Sequence, residues 1–344
     1  MGKEQPHPLT EWRAIGQSVR GAAHLRTGLP NQDAIRWLPA SGTGPPLILA
    51  VSDGHGSAKY FRSHVGSEQA VETAAWVIQD LLDGQPDPAN LSAIKRTAED
   101  RLPQTIVRRW KEAVAGHVKQ SPLTPDELGT LEQRDGVAAR QVVAETPSLA
   151  YGATVLAVLI AETFILYLQL GDGDILVVAE DGQVSRPMEH DARLFANQTT
   201  SLCSPDAWRD VQVRFQAVVD PPPTLILLAT DGYANSFVNE TAFLQVGTDI
   251  LEMIRAEGLE AVQESLAVWL NEASQAGSGD DITLGILCRA DVPSSSRSTE
   301  KTESVESQWD ASESQASKAD ISLGAEDEFT VTVTVKRTSR AKKQ

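Results

Sequence analysis

The chain has 344 residues, a formal net charge of −17 and 41% hydrophobic residues, enough for one large domain or two small ones. No excess of Lys and Arg exists to neutralise a phosphate backbone, which excludes nucleic acid as a partner and argues against an electrostatic hold on anionic lipid. Cys203 and Cys288 are far apart and in no ligand spacing, which fits neither a disulfide framework nor a zinc site and suits a reducing compartment.

The opening residues, MGKEQPHPLTEW, lack the apolar centre of a signal peptide. One apolar run, Ala153 to Leu170, is interrupted by Glu162-Thr163 and falls short of the ~20 residues a span needs. Two strands joined by a short turn fit it better. The expectation is a cytoplasmic protein without membrane contact.

Residues 12–56 alternate short apolar runs with Gly, Pro and Asn turns, as antiparallel strands do. Within them Leu47–Val51 reads as a buried strand that ends abruptly at Ser52-Asp53-Gly54-His55-Gly56. Val71, Ala74, Ala75, Ile78, Leu81 and Leu82 recur at helical spacing, and a break at 83–86 precedes a second helix carrying Ile94, Leu102, Ile106, Val107, Trp110 and Val114. Residues 116–147 are polar, with the start of a short helix at Thr124-Pro125-Asp126-Glu127. Strands follow at 152–160, 163–170, 174–179 and 183–185, read together as a meander. Further strands are expected at 211–219, 224–229 and 282–288, with one long amphipathic helix over 240–274 between the last two.

This order predicts an α+β domain over residues 1–290, a central β-sandwich of two antiparallel sheets flanked by helices. Residues 291–344 are rich in Ser, Glu and Asp and read as a disordered tail, with one strand at 329–335 and a basic C-terminus.

Five acidic positions share one layout, an aspartate beside an apolar strand, most of them next to glycine: Asp33, Asp53, Asp172, Asp231 and Asp280. Taken singly, an Asp-Gly pair is most often only a turn, and Asp181-Gly182 is read as one. As a set they are a different matter. Clustered aspartates repel and raise one another's pKa values, and Mg²⁺ or Mn²⁺ removes that cost by taking hard oxygen ligands. Such cations lower the pKa of a bound water towards neutrality for attack on phosphorus.

Gln32-Asp33, Asp53-Gly54-His55-Gly56, Gly171-Asp172, Asp231-Gly232 and Gly279-Asp280 occur in an order and spacing that resemble the metal-dependent type 2C protein phosphatases (the PPM family). The resemblance spans about residues 12–290. It implies hydrolysis of phosphoserine and phosphothreonine by a metal-bridged water, with two Mn²⁺ or Mg²⁺ ions and a third, weaker one. Asp53 would bridge two metals with the Gly54 carbonyl on one of them. Asp231 and Asp280 would complete one shell, Asp33 would reach the other metal, and Asp172 would serve the third. His55 would donate a proton to the leaving oxygen. The implied substrate is a phosphorylated protein, placing the chain opposite a serine/threonine kinase.

The chain departs from the family pattern in three places. Gln32 stands where many members have Glu. The phosphate-gripping arginine shortly before Asp33 is displaced, leaving Arg26, with Arg20 behind it, as the expected phosphate binder. The usual Ser-Arg after Asp172 is absent. These departures motivate a second expectation, a regulatory binding module that keeps the fold without the chemistry. A third is a phosphohydrolase of small esters. Asp281 is expected to organise its loop, and residues 186–210, with His190, Asp191 and Trp208, to form a flap beside the site.

Overall fold

Alternate residues of the strand Leu47–Ser52 enter two different cores. Leu47, Leu49 and Val51 point one way, Ile48 and Ala50 the other, and all are fully buried. Period-two alternation of apolar residues on both faces requires a strand covered from both sides. The computed structural model describes residues 11–85, 87–188, 200–218 and 222–292 and meets that requirement with two stacked sheets.

In chain order the elements are β1 (Trp12–Val19), α1 (Ala22–Thr27), β2 (Ala34–Leu38), β3 (Thr43–Gly44) and β4 (Leu47–Ser52), then the helices α2 (Ser63–Asp83), α3 (Leu91–Gln120) and α4 (Pro125–Glu145). Next come β5 (Val155–Ile160), β6 (Phe164–Leu170), β7 (Asp174–Val178), β8 (Val184–Ser185), β9 (Gln212–Ala217) and β10 (Leu225–Ala229). The described part closes with α5 (Asp231–Ala234), α6 (Glu240–Glu257), α7 (Leu259–Ala276) and β11 (Ile282–Arg289). One sheet runs β3-β1-β11-β10-β7-β8 and the other β2-β4-β5-β6-β9, with every pairing antiparallel.

Between the sheets lie Trp12, Leu47, Leu49, Val51, Leu156, Val158, Tyr167, Ile226, Leu228 and Leu287. Helices α2 and α3 cover the outer face of the five-stranded sheet, where Ala74, Ile78, Ile106 and Trp110 pack on Ile48, Ala157 and Leu166. The Trp110 indole, fully buried, donates to the Gly66 carbonyl at 2.9 Å, which keeps its N–H satisfied. Helices α6 and α7 cover the six-stranded sheet through Phe243, Ile250, Leu266 and Leu270. The result is the expected four-layer αββα sandwich.

Four expectations are corrected. The polar stretch 116–147 holds the end of α3 and a helical span, α4, that runs on from the expected short helix through a kink at Gly136, where φ is +86°. Its start is where the sequence placed it, at a capping box of Thr124 with Glu127, but only Leu131 and Val143 are buried, too few to give a visible stripe. The helix over 240–274 is two helices broken at Gly258, where φ is +91°. The strands from 152 to 185 are not one meander. After β6 the chain leaves the five-stranded sheet through Gly171, at φ +113°, and β7 joins the other sheet beside β10. Residues 22–27, read among strands, form α1. The tail, including the strand expected at 329–335, lies outside the described residues, as do His190 and Asp191. No helix among the described residues is long and apolar enough to cross a membrane.

Candidate active site

Antiparallel pairing forces the five aspartates to one end of the sandwich. Asp33 precedes β2 and Asp53 follows β4, and these strands pair with Ala34 opposite Ser52. Ala229, which ends β10, pairs with Asp174 at the start of β7 and with Leu284 of β11. Asp172 and Asp231 therefore meet across one pair, and Asp231 and Asp280 across the other. Carboxylate oxygens of Asp53, Asp172 and Asp231 all lie within 4.8 Å of one another.

Hydrogen bonds from the scaffold hold these loops. The Thr230 hydroxyl donates to Asp33 at 2.8 Å and accepts from the Thr283 backbone N–H at 2.9 Å, linking β2, β10 and β11. The Asp53 N–H donates to the Thr154 hydroxyl at 3.0 Å, and Asn235 donates to Asp231 at 3.1 Å. Gly54 sits where a β-carbon would lie 2.6 Å from the Gln32 carbonyl oxygen, so only glycine lets the two loops approach this closely.

The electrostatics report the same convergence. Asp53 is pushed well above the ordinary carboxylate range, first by burial and then by the charges of Asp33, Asp231, Asp280 and Asp172. Burial likewise raises Asp33, aided by Asp281 and Asp231 and opposed by the Thr230 hydrogen bond. Asp231 rises to about 6 through burial and the charges of Asp172 and Asp280. Asp280 is raised by burial, although its side chain is half exposed. A mutually repelling set of hard oxygen donors is what a dication takes, so these residues fit Mn²⁺ or Mg²⁺. The buried Gln32 Oε1, which has no hydrogen-bond partner, adds an unsatisfied acceptor beside Gly56.

His55 is held by its backbone N–H on the Gly152 carbonyl at 3.1 Å, and its ring lies 4.8 Å from that of Tyr60. Burial lowers its pKa to about 4, against the opposing charge of Asp172 and with the help of Lys59.

A family profile described as Protein phosphatase 2C matches residues 20–271, well over half of the chain. The chain belongs to the protein phosphatase 2C family. Membership makes it a metal-dependent protein-serine/threonine phosphatase acting on phosphoproteins. Among solved structures, the catalytic domain of the serine/threonine protein phosphatase PstP, in complex with two manganese ions, matches with a TM-score of 0.50 at 18% identity, over 81% of this chain and 98% of that one. Stp1 from Staphylococcus aureus gives 0.51 at 13%, over 84% and 99%. A bacterial serine phosphatase gives 0.51 at 14%, over 80% and 97%. At such identities the likeness is one of fold. No curated protein matches the chain.

The matched span of this type 2C phosphatase stops before Asp280, which the sheet pairing nevertheless brings to the other four aspartates. Arg26 is not among the residues gathered here. It is exposed in the last turn of α1 and, among the described residues, makes no hydrogen bond or ion pair. Arg20 donates to the His24 carbonyl at 3.0 Å. Trp208, expected in a flap, packs against the α3 side of the core.

Two networks lie behind the site, one around Asp281, which was expected to organise its loop, and one around Arg62, which had no signal in the sequence. The buried Asp281 carboxylate accepts from Gly21 N–H (2.6 Å), from His24 Nδ1 (2.8 Å) and from Gln32 N–H (2.6 Å), tying the loops that carry Asp33 and Asp280 to α1. Arg62, at the start of α2, makes a two-pronged contact with Glu127 at 2.7 and 2.8 Å and donates to the Tyr151 hydroxyl at 2.8 Å. Its backbone N–H bonds Ala150, so α4 is anchored next to the loop that carries His55. Distant partners of this kind leave no spacing to read.

Proposed function

We propose that Asp33, Asp53, Asp172, Asp231 and Asp280, with the Gly54 carbonyl, hold two divalent cations and a weaker third, and that this centre hydrolyses phosphoserine and phosphothreonine esters of proteins. The observation that carries the assignment is the convergence of four carboxylates, from separate loops, on a fifth, Asp53. When bound, the cations supply charge neutralisation for the phosphoryl group and a water acidic enough to act near neutral pH.

The chain's own residues do the rest. Thr230, Thr154 and Asn235 orient the carboxylates before substrate arrives, which keeps reorganisation small. His55 is uncharged at neutral pH, but a phosphate dianion beside it favours the imidazolium, the form that can protonate the leaving serine or threonine oxygen. Retention of the whole acidic set supports catalysis over a purely regulatory module, because clustered carboxylates without a cation destabilise the fold. The substrate is a protein phosphorylated by an opposing serine/threonine kinase, and a cytoplasmic location suits that pairing.

The test is hydrolysis of a phosphothreonine peptide and of p-nitrophenyl phosphate with Mn²⁺ or with EDTA. Wild type is expected to need the metal, and Asp53→Asn to lose on the order of 10³-fold in kcat/KM. Equal rates in EDTA would remove the metal centre from the reaction. A rate preference for the small ester over the peptide would favour the small-ester reading.

A further inference from the structure

The displaced arginine leaves the site without its expected phosphate binder, and the cations around it can be accounted for individually. Arg62 is buried against Glu127, Arg186 pairs with Asp174 and Glu240, and the Lys111 ammonium donates to the Ser204 carbonyl. Arg20 donates to the His24 carbonyl, and Arg26 lies exposed on α1. Lys59, like Arg26, is exposed and makes no ion pair or hydrogen bond among the described residues, but it lies in the short turn 58–60 that directly follows Asp53-Gly54-His55-Gly56.

Its position is nonetheless defined. The Lys59 ammonium lies 4.7 Å from the centroid of the Tyr60 ring, and that ring is 4.8 Å from the ring of His55. Both rings press on Gly152, where a β-carbon would come within 2.6 Å of Tyr60 and 2.8 Å of His55. An ammonium resting on an aromatic face is oriented without being neutralised. The Tyr60 ring that carries this ammonium packs on His55, which directly follows Asp53-Gly54, so Lys59 stands on the rim of the acidic centre. Five carboxylates and a phosphate monoester dianion together carry more negative charge than two or even three dications neutralise. A cation on the rim is the missing complement.

We infer that Lys59, presented by Tyr60 beside His55, binds the phosphate of the substrate in place of Arg26. This inference rests on the phosphatase reading above. In the test, Lys59→Met, Lys59→Arg and Arg26→Ala are compared with wild type at saturating Mn²⁺. The readouts are KM and kcat for a phosphothreonine peptide, the inhibition constant of inorganic phosphate, and the phosphate-induced rise in Tm of the Mg²⁺-loaded protein. Lys59→Met is expected to raise KM and the phosphate inhibition constant about tenfold, the worth of one charge-assisted hydrogen bond, with kcat changed far less. Lys59→Arg should restore both constants, and Arg26→Ala should leave them unchanged. Unaltered constants in Lys59→Met, or a shift found only in Arg26→Ala, overturn the inference. The Tm readout needs no turnover. A phosphate response in inactive wild type that Lys59→Met abolishes therefore upholds Lys59 while refuting the catalytic reading. An inactive wild type with no phosphate response refutes both.

Discussion

His55 stands between charges of opposite sign, the carboxylate of Asp172 and the ammonium of Lys59, and burial outweighs both in lowering its pKa to about 4. Its value as an acid therefore depends on the leaving group it serves. Serine and threonine alkoxides must be protonated as they depart, whereas p-nitrophenolate leaves readily without a proton. His55→Ala is expected to lower kcat for a phosphothreonine peptide by about 100-fold, and for p-nitrophenyl phosphate by less than about tenfold. Equal losses on both substrates would assign His55 to positioning rather than proton transfer. The aspartates and this histidine were legible because each lies next to a strand end with a glycine nearby. Gln32 was legible only as a departure from the family's Glu, and Lys59 had no signal of its own, because what each does depends on what stands beside it in space.

At the scale of elements, the loop carrying Asp280 is joined to the loop carrying Asp33 through a single buried carboxylate, Asp281. Asp281 holds backbone N–H groups of α1's entry and of Gln32, so its removal loosens two expected ligand loops at once. Groups that orient ligands typically change metal affinity by 10–100-fold. Asp281→Asn is expected to raise the Mn²⁺ concentration for half-maximal activity by about tenfold, with kcat at saturating Mn²⁺ within about threefold of wild type. Loss of kcat that no metal concentration restores would mean the carboxylate acts on the fold or on catalysis itself. Asp281 was expected to organise its loop, but its three donors come from positions 21, 24 and 32, about 250 residues away in sequence. The same distance hid the role of α4. Its start was readable, while the Arg62 contact that makes Glu127 serve two purposes was not.

For the whole molecule, the acidic centre makes stability depend on pH in a direction that can be worked out. Asp231, raised to about 6 from an unfolded value of about 3.9, contributes stability that is complete below pH ~3.9 and is lost as pH rises through 6. Asp53 and Asp33, raised by burial and by neighbouring carboxylates, act in the same sense. His55 acts oppositely, its neutral form contributing stability that is lost as pH falls from ~6.5 through about 4. A bound dication removes the carboxylate repulsion and competes with their protons. The difference in Tm between Mn²⁺-loaded and EDTA-treated protein is thus expected to grow by several degrees from pH 5 to pH 7.5, read by calorimetry. A difference that stays constant over that range would show that these carboxylates do not bind the metal. Asp53→Asn, by relieving repulsion, should melt higher than wild type in EDTA.

From the sequence alone, the period-two runs determined the strands, the helical spacing determined α2 and α3, and five acidic sites beside strands pointed to a dication centre. Those signals are local, because alternation and turn chemistry act between residues a few positions apart. Only the tertiary structure decided that the chain changes sheets at Gly171, that Gly258 divides the helix before β11, and that α4 continues past a kink at Gly136 and is docked by Arg62. It alone decided that Asp281 clasps three segments and that Lys59 rests on the Tyr60 ring beside His55. Sheet membership, clasping and reach follow from which strands pair across long stretches of chain, and no spacing within a single segment encodes that choice.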